Sequence, residues 1–421
     1  MLTNYRQNLR RFGRDVRLYL ISTALNGFTV DGIATVLFNL YLLRLGYGPE
    51  FIGLVNAVGA LVMASFSLPA VTVGQRWGTR RALIAGVGAI AIGYGAYSLA
   101  HFLPTEWRRA WVLGTVVLSH LGLTLYYVNG TPFLMAATGP SQRSLAFSLQ
   151  VALAPLAGFA GSLVGGVLPS VIAGMVDAPA DGSAPYGYAL LLASVLLIPG
   201  LLVLRSTREV SREEEKGESA QGGRMPYRLI IMLTIVVVLR MAGRVAARTF
   251  FNVYLDDDLH VSTALIGALS AAGLLVSAPV ALATPMLVAR CGNRHVITWG
   301  SLGIALSLLP LALIPHPGAA GISFVGVTAL FSLTAAPMRV FGLELVSPRW
   351  RLAMSGAMMM GVGLSITAMA LGGGYAIAAL GYRALFLGAA GISAVGALLF
   401  WAYFRVPRGE FRKRSVPGTV G

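Results

Sequence analysis

The sequence contains little charge and almost no cysteine. Of its 421 residues, only 11% are charged and 56% are hydrophobic, and the mean hydropathy is +0.74. A soluble domain carries about a quarter charged residues, so this composition excludes a conventional soluble enzyme and a disordered chain. The single cysteine, Cys291, forms no internal disulfide and supports no Cys–His metal cluster, which argues against a secreted disulfide scaffold.

Long apolar runs take the place of charge. A helix crosses the hydrocarbon core of a bilayer, about 30 Å thick, with about 20 largely apolar residues. The first run continues directly into a second and lacks a small-residue cleavage pattern, so it is not a signal peptide. The predicted fold class is an all-α integral membrane protein with twelve transmembrane helices. The predicted spans are residues 17–45, 50–75, 81–101, 110–138, 143–174, 186–206, 228–255, 261–289, 295–315, 319–346, 352–380 and 383–405.

Acidic residues are half as numerous as basic ones, 16 against 32, which gives a net charge of +16. If both termini are cytoplasmic, the predicted cytoplasmic segments hold 24 of the 32 basic residues and the outer loops hold four. This bias follows the positive-inside rule. The charge therefore predicts a multi-pass protein of the inner or plasma membrane with both ends inside, rather than a nucleic-acid-binding protein.

Five short motifs recur in the same order in the two halves of the chain, with offsets of 213, 214, 214, 207 and 207. The matched segments are 39–42 with 252–255, 52–53 with 266–267, 76–80 with 290–294, 145–148 with 352–355 and 164–166 with 371–373. Six spans repeated in one orientation predict two pseudo-symmetric six-helix bundles related by an axis along the membrane normal. We expect these bundles at 1–206 and 227–406, a cytoplasmic linker at 207–226 and a cytoplasmic tail at 407–421.

The loops after spans 2 and 8 resemble the signature Gly-x-x-x-Asp-Arg-x-Gly-Arg-Arg of the major facilitator superfamily of secondary transporters. The resemblance extends over essentially the whole chain and implies that these loops act in conformational gating. Gln75 and Ala289 stand at the acidic position of the signature, so the acid that in the family helps to hold the outward-facing state is missing. The matching residues are Arg76, Gly78, Arg80 and Arg81 in the first copy and Arg290, Gly292 and Arg294 in the second.

Span 5 contains a proline and several glycines that partly resemble a motif of proton-driven exporters. Small residues let helices approach closely, and a proline bends a span. Two interpretations stay open: ordinary helix packing, or an exporter-specific function. The motif residues are Pro155, Gly158, Gly165 and Gly166.

Asp31 lies about halfway along span 1. Charges at this depth are costly and normally face a cavity or a partner. Loss of solvation favours the neutral form of a carboxyl group, so Asp31 is a candidate for reversible proton binding. The alternative is a static ion pair or polar contact. His120 in span 4 is a second proton-coupling candidate, with polar packing as its alternative.

Three arginines, Arg240, Arg244 and Arg248, recur every four residues in span 7. This spacing places them on one helix face, within about 12 Å of helix length. Guanidinium groups stay charged, so this face cannot contact lipid tails. At the offset of 213, Asp31 corresponds to Arg244. The arginines either pair with Asp31 as a gate, bind an anionic substrate, or hydrogen-bond to carbonyls and extend to the surface, which suits Arg248 best.

The predicted function is secondary active transport by alternating access. Proton-coupled export of a small amphiphilic compound is favoured, and transport of an organic anion guided by the span 7 arginines is the alternative. A membrane-embedded enzyme is less favoured because no nucleotide-binding or catalytic motif is present in a usable context. We expect no cofactor or metal, a monomeric chain, and the lipid bilayer, a small-molecule substrate and protons as partners. Further substrate-cavity candidates are Asn39, Tyr126, Tyr127, Asn129 and Gln150, whose alternative function is helix packing.

Overall fold

A computed structural model describes residues 12–139, 142–179, 181–208, 226–347, 350–406 and 408–409 of the chain. Within helices, the side chains of residues 143–145, 148 and 352 are outside this description. Residues 209–225 of the predicted linker and all but 408–409 of the predicted tail also lie outside the described residues.

Helices make up nearly all of the described residues, because a backbone inside a bilayer must satisfy its own hydrogen bonds. A π-helical segment, Gly27–Ala34, joins the first two helices, and a short 3-10 helix, Leu99–Phe102, follows the fourth. The α-helices are α1 (Arg14–Asn26), α2 (Thr35–Arg44), α3 (Pro49–Trp77), α4 (Thr79–Ser98), α5 (Thr105–Ala137), α6 (Arg143–Met175), α7 (Ser183–Val195), α8 (Leu197–Arg205), α9 (Tyr227–Asp257), α10 (Thr263–Cys291), α11 (Asn293–Leu313), α12 (Pro317–Glu344) and α13 (Arg351–Phe404).

Eleven helical stretches in the described ranges are long and apolar enough to cross a membrane. The last helix, α13, has 54 residues, and Gly381 within it has the non-helical angles φ 82° and ψ 172°. A straight helix of that length would measure about 80 Å, far more than a bilayer core of about 30 Å. The break at Gly381 falls between predicted spans 11 and 12. The all-α membrane fold is thus confirmed, and the count of twelve spans stays a prediction.

The chain forms two compact units. The described residues of the first unit lie within 1–48, 58–214 and 260–275, and those of the second within 49–57, 215–259 and 276–421. The start of α3 therefore belongs to the second unit and the start of α10 to the first. The bundle boundaries expected from the sequence, 1–206 and 227–406, stay a prediction.

Close backbone contacts at glycines account for these two exchanged helix starts. In the second unit, a Cβ added to Gly374 of α13 would lie 3.0 Å from the Cα of Glu50 at the start of α3. In the first unit, a Cβ added to Gly166, part of the predicted packing motif on α6, would lie 3.0 Å from the Cα of Gly267 on α10. Without side chains between them, the backbones approach closely enough to pack tightly.

An aromatic core holds one end of the second unit together. Phe341 of α12 packs edge-on against Phe400 and Phe404 of α13, with ring centroids 5.1 Å apart in both pairs. Leu233 and Val237 of α9 are buried in the same cluster. This packing fixes α9 between α12 and α13 and so sets the direction in which its next turns present their arginines.

Candidate functional site

Asp31 lies inside the π-helical segment of the first unit. The segment covers eight residues, Gly27–Ala34, and the helix continues on both sides as one stretch of 31 residues, Arg14–Arg44. π-Helical turns are rare and are frequently found at functional sites. Asp31 is half-buried there. The structure therefore places this carboxylate where the helix is locally widened, near the middle of a membrane span.

Small residues of α6 pack against the π segment beside Asp31. A Cβ added to Gly158 would lie 3.3 Å from the Cβ of Asp31, and one added to Gly165 would lie 2.9 Å from the Cα of Ile33. Pro155 lies one turn before Gly158, inside a helix that continues through it. The predicted motif thus runs along the α6 surface that contacts the Asp31 segment.

Two predicted cavity residues form a polar cluster with α1. The hydroxyl of Tyr126 lies 3.2 Å from Thr23 Oγ1, and the Gln150 amide donates to the hydroxyl of Tyr19 over 2.9 Å. The rings of Tyr19 and Tyr126 stack with centroids 6.4 Å apart. These contacts connect α1, α5 and α6 within the first unit.

The same face of α1 carries two polar residues that the sequence analysis missed. Asn26 is 3% exposed and Ser22 is 1% exposed. Neither the Ser22 hydroxyl nor the Asn26 amide makes a hydrogen bond of good geometry among the described residues, and both side chains approach the hydroxyl of Tyr126. Buried polar atoms are rarely left unpaired, because the loss of their solvation is costly. Their spacing of four within an apolar span was the available signal.

The other cavity candidates of the first unit are dispersed. The Asn129 amide donates to the carbonyls of Ala70, over 3.2 Å, and Leu125, over 3.0 Å, which joins α5 to α3. Tyr127 is 47% exposed, and Asn39 is buried in α2. Their assignment to a substrate cavity stays a prediction.

His120 occupies the space that a glycine leaves on the neighbouring helix. Its Nδ1–H donates to the carbonyl of Val116 over 2.9 Å. A Cβ added to Gly59 of α3 would lie 2.5 Å from His120 Nε2. The imidazole is thus packed between α5 and α3, and its function in proton coupling stays a prediction.

In the second unit, Arg240 is 4% exposed near the middle of α9. Its Nη1 donates to the hydroxyls of Ser301 on α11, over 3.3 Å, and Thr334 on α12, over 3.0 Å. Its Nε is buried without a hydrogen-bond partner among the described residues. The sequence analysis missed both hydroxyl partners, although each is a polar residue within an otherwise apolar span.

Arg244 is held differently, by an aromatic ring. Its guanidinium carbon lies 3.4 Å from the ring centroid of Phe331 on α12. Such cation–π contacts stabilise a cation that has lost water. Arg244 is half-buried and Arg248, one turn further, is exposed. The side chains of the three arginines therefore become progressively less buried along the helix, from Arg240 to Arg248.

No carboxylate within the described part of the second unit lies at ion-pair distance from Arg240 or Arg244. Their partners are two hydroxyls and one aromatic ring. These groups supply dipoles and a quadrupole but no negative charge. The described part of the second unit thus contains two adjacent positive charges without a compensating acid.

The two signature loops share one backbone geometry. Gly78 has φ 92° and ψ 145°, and Gly292 has φ 80° and ψ 152°. L-residues with a side chain rarely adopt such positive φ values. Each glycine lies directly between two helices, so each links its helices with a single residue.

The arginines after these glycines cap helix ends. Arg80 donates to the carbonyl of Arg205 at the end of α8. Arg294 donates to the carbonyls of Phe404, over 3.0 Å, and Arg405, over 2.8 Å, at the end of α13. A cation suits the negative end of a helix dipole. The remaining predicted gating residues, Arg76, Arg81 and Arg290, are exposed.

Comparison of the sequence with known families agrees with this matched geometry. The sequence profile of the Major Facilitator Superfamily matches residues 19–233 and 233–418. The chain belongs to the major facilitator superfamily. It is therefore an integral multi-pass membrane protein and a transporter with an alternating-access fold, rather than an enzyme. No curated protein sequence matches the transporter significantly.

Several solved structures similar to the transporter are themselves transport proteins. A point mutant of the nucleoside transporter NupG has a TM-score of 0.75 at 15% identity, covering 93% of this chain and 100% of that one. The xylose transporter XylE from E. coli, inward open, has a TM-score of 0.73 at 12% identity, covering 92% and 95%. A bacterial homologue of the human lysosomal transporter Spinster has a TM-score of 0.74 at 14% identity, covering 96% and 98%. At these identities the likeness concerns the fold alone.

Proposed function

We propose that the transporter carries an organic anion recognised by Arg240 and Arg244. The observation behind the proposal is that the buried Arg240 and the half-buried Arg244, one turn apart on α9, have no carboxylate partner among the described residues of their unit. Charge at membrane depth costs free energy unless something compensates it. An anionic substrate would supply the missing charge whenever it is bound.

The contacts of both arginines support a binding function over a purely structural one. Hydroxyls of Ser301 and Thr334 hold Arg240, and the Phe331 ring holds Arg244. Side chains already fixed in place lose little conformational entropy when a ligand arrives. Because the apolar ring of Phe331 adjoins the cations, we favour an anion with an apolar body.

We also propose that protons drive transport through Asp31. Its position in a π segment near the middle of a span supports this, as do the buried polar side chains of Ser22 and Asn26 on the preceding turns. A carboxyl group can be neutralised by a proton, whereas a guanidinium group cannot. Export is the proposed direction, and it rests on the partial resemblance of the α6 motif to proton-driven exporters.

Flux measurements with the purified transporter in liposomes test both parts. The panel contains carboxylates, sulfonates and phosphate monoesters, each with its neutral amide or alcohol counterpart, with and without an imposed pH gradient. We expect anions alone to be carried, with faster flux under the gradient. Arg244→Gln is expected to abolish anion flux, whereas Arg339→Gln, at an exposed arginine of α12, serves as the matched control.

Two outcomes would contradict the proposal. Anion flux that survives Arg244→Gln would remove the substrate assignment. We expect the Asp31→Asn variant to exchange substrate without responding to the pH gradient. If its gradient-driven flux were unchanged, Asp31 would not be the proton-binding residue.

A further inference from the structure

We infer that Arg240 presents a carboxylate-binding fork, so the substrate is a carboxylic acid anion bound through two parallel hydrogen bonds. This inference rests on the proposed function, transport of an organic anion, and names the chemical class of that anion.

The hydrogen bonds of Arg240 leave one edge of its guanidinium group without a hydrogen-bond partner among the described residues. Nη1 has two hydrogens, and it donates to two hydroxyls, those of Ser301 and Thr334. Nε and Nη2 donate to none of the described residues. These two atoms form the edge of an arginine that binds carboxylates in a bidentate manner. Nη1 therefore fixes the orientation of the guanidinium group. Nε and Nη2, the open edge, are the atoms left to bind a ligand.

The burial of that edge indicates a ligand rather than solvent. Nε is fully buried without a partner, on a side chain that is 4% exposed. An unpaired donor on a charged group is more costly than one on a neutral group. A ligand oxygen on Nε would relieve this cost, and a second oxygen on Nη2 would complete the pair.

The shape of the open edge favours a carboxylate over a phosphate or sulfonate. Two N–H groups in one plane match the two oxygens of a planar carboxylate. A tetrahedral anion has a third oxygen outside that plane, which needs a donor of its own. The hydroxyl of Thr334 accepts from Nη1 and donates to the carbonyl of Phe331 over 3.2 Å, so its hydrogen is not available to that third oxygen.

Ser301 and Thr334 are positioning residues for this fork. They come from α11 and α12, and together they fix the rotation of the planar guanidinium group about the Cδ–Nε bond. Thr334→Val keeps the shape of the side chain and removes the hydroxyl. We expect this change to weaken carboxylate binding several-fold while the charge of the site is unchanged.

The test measures thermal stabilisation of the full-length transporter in detergent by matched ligand series. The probes are acetate, benzoate and octanoate, the sulfonates and phosphonates with the same bodies, and the corresponding amides. We expect stabilisation by at least one carboxylate, and weaker or no stabilisation by its matched analogues. Stabilisation by sulfonates or phosphonates but by no carboxylate would overturn the inference and leave the anion proposal standing. The absence of stabilisation by every anion would overturn both.

A charge-conserving variant separates the fork from the charge. Arg240→Lys keeps the positive charge but loses the two-pronged edge, so we expect carboxylate affinity to fall about 10-fold to 100-fold. Arg339→Lys is the control for arginine replacement elsewhere in the unit. Unchanged affinity in Arg240→Lys would overturn the fork.

Chemical rescue provides a readout that a structural function would not move. In Arg240→Ala, added guanidinium ion is expected to restore carboxylate binding, whereas added methylammonium is not. The melting temperature of each unliganded variant is recorded in parallel, so that a folding defect is recognised. Equal rescue by both cations would overturn the bidentate geometry.

Discussion

The two matched helices of the duplicated chain hold opposite charges by different means. Asp31 lies in a π-helical segment, packed by the glycines of α6. Arg244, at the corresponding position in the repeat, lies on an α-helix that runs without interruption from Tyr227 to Asp257. There the side chain is stacked on Phe331, and Arg240 one turn earlier is held by hydroxyls. The first unit adapts its backbone around the charge, and the second adapts its side chains.

The chemistry of the two groups explains why the solutions differ. A carboxylate becomes neutral when it takes up a proton, so a tightly packed site tolerates it in its protonated form. A guanidinium group stays charged, so its site needs dipoles, an aromatic face or an anion. This contrast is the physical basis of the two functions we propose, proton binding in the first unit and anion binding in the second.

The largest expected effect tests the backbone packing of the first unit. A side chain at Gly161 of α6 would collide with the carbonyl of Phe28 in the π segment. We expect Gly161→Leu to destabilise the protein by about 3 kcal/mol or more, measured as a lower melting temperature in detergent. Gly114→Leu is the control, because nothing lies within 4 Å of a Cβ added there. Equal melting temperatures for the two variants would contradict the packing described.

The second effect tests whether the charge of Arg240 serves stability or binding. Replacing a buried, uncompensated charge by an apolar side chain of similar length is often stabilising. We expect Arg240→Met to raise stability by about 1–2 kcal/mol while anion binding is lost. A clearly lower melting temperature would instead indicate that the hydroxyl contacts of Arg240 are structural.

A third effect concerns the aromatic support of Arg244. Phe331→Leu keeps an apolar side chain but removes the ring face, so about 1 kcal/mol of cation–π stabilisation is lost. We expect anion affinity to fall roughly fivefold, measured by ligand-induced stabilisation. Phe324→Leu on the same helix, whose ring stacks on Phe251 rather than on an arginine, is the matched control. If both variants weaken anion binding equally, the effect comes from packing and not from the cation.

The smallest effect compares the two signature loops. Arg80→Gln and Arg294→Gln each remove a cation from the carbonyl end of a helix. We expect each to cost about 0.5–1 kcal/mol, seen as small and similar decreases in melting temperature. The exposed Arg76→Gln is the control and is expected to change stability little. A large loss in one loop alone would show that the two copies no longer have the same function.

Much of the fold was predictable because membrane segments follow simple local rules. Apolar runs of span length, the bias of basic residues and the repeated motifs predicted an all-α membrane protein, and the resemblance of the two signature loops predicted its family. The family and the fold class are confirmed. The four-residue spacing of Arg240, Arg244 and Arg248 predicted a single charged face. The signature glycines Gly78 and Gly292 predicted equivalent loops, which have nearly the same backbone angles.

The partners of the charged residues were not predictable in this way. Ser301 and Thr334 lie 61 and 94 residues from Arg240 along the chain. Their hydroxyls look like ordinary polar residues within apolar spans. The buried Ser22 and Asn26 were passed over for the same reason, since an apolar span gives no sign of which polar side chains will meet across helices.

Hydropathy, charge bias and helical spacing are properties of consecutive residues, and so the amino-acid sequence alone determined the membrane class and the existence of a basic helix face. The family came from the resemblance of two loop motifs. Tertiary structure decided the widened turn around Asp31, the open edge of Arg240 and the ring beneath Arg244. Each of these depends on which distant helix packs alongside, and that is settled by the fit of whole surfaces rather than by any local pattern.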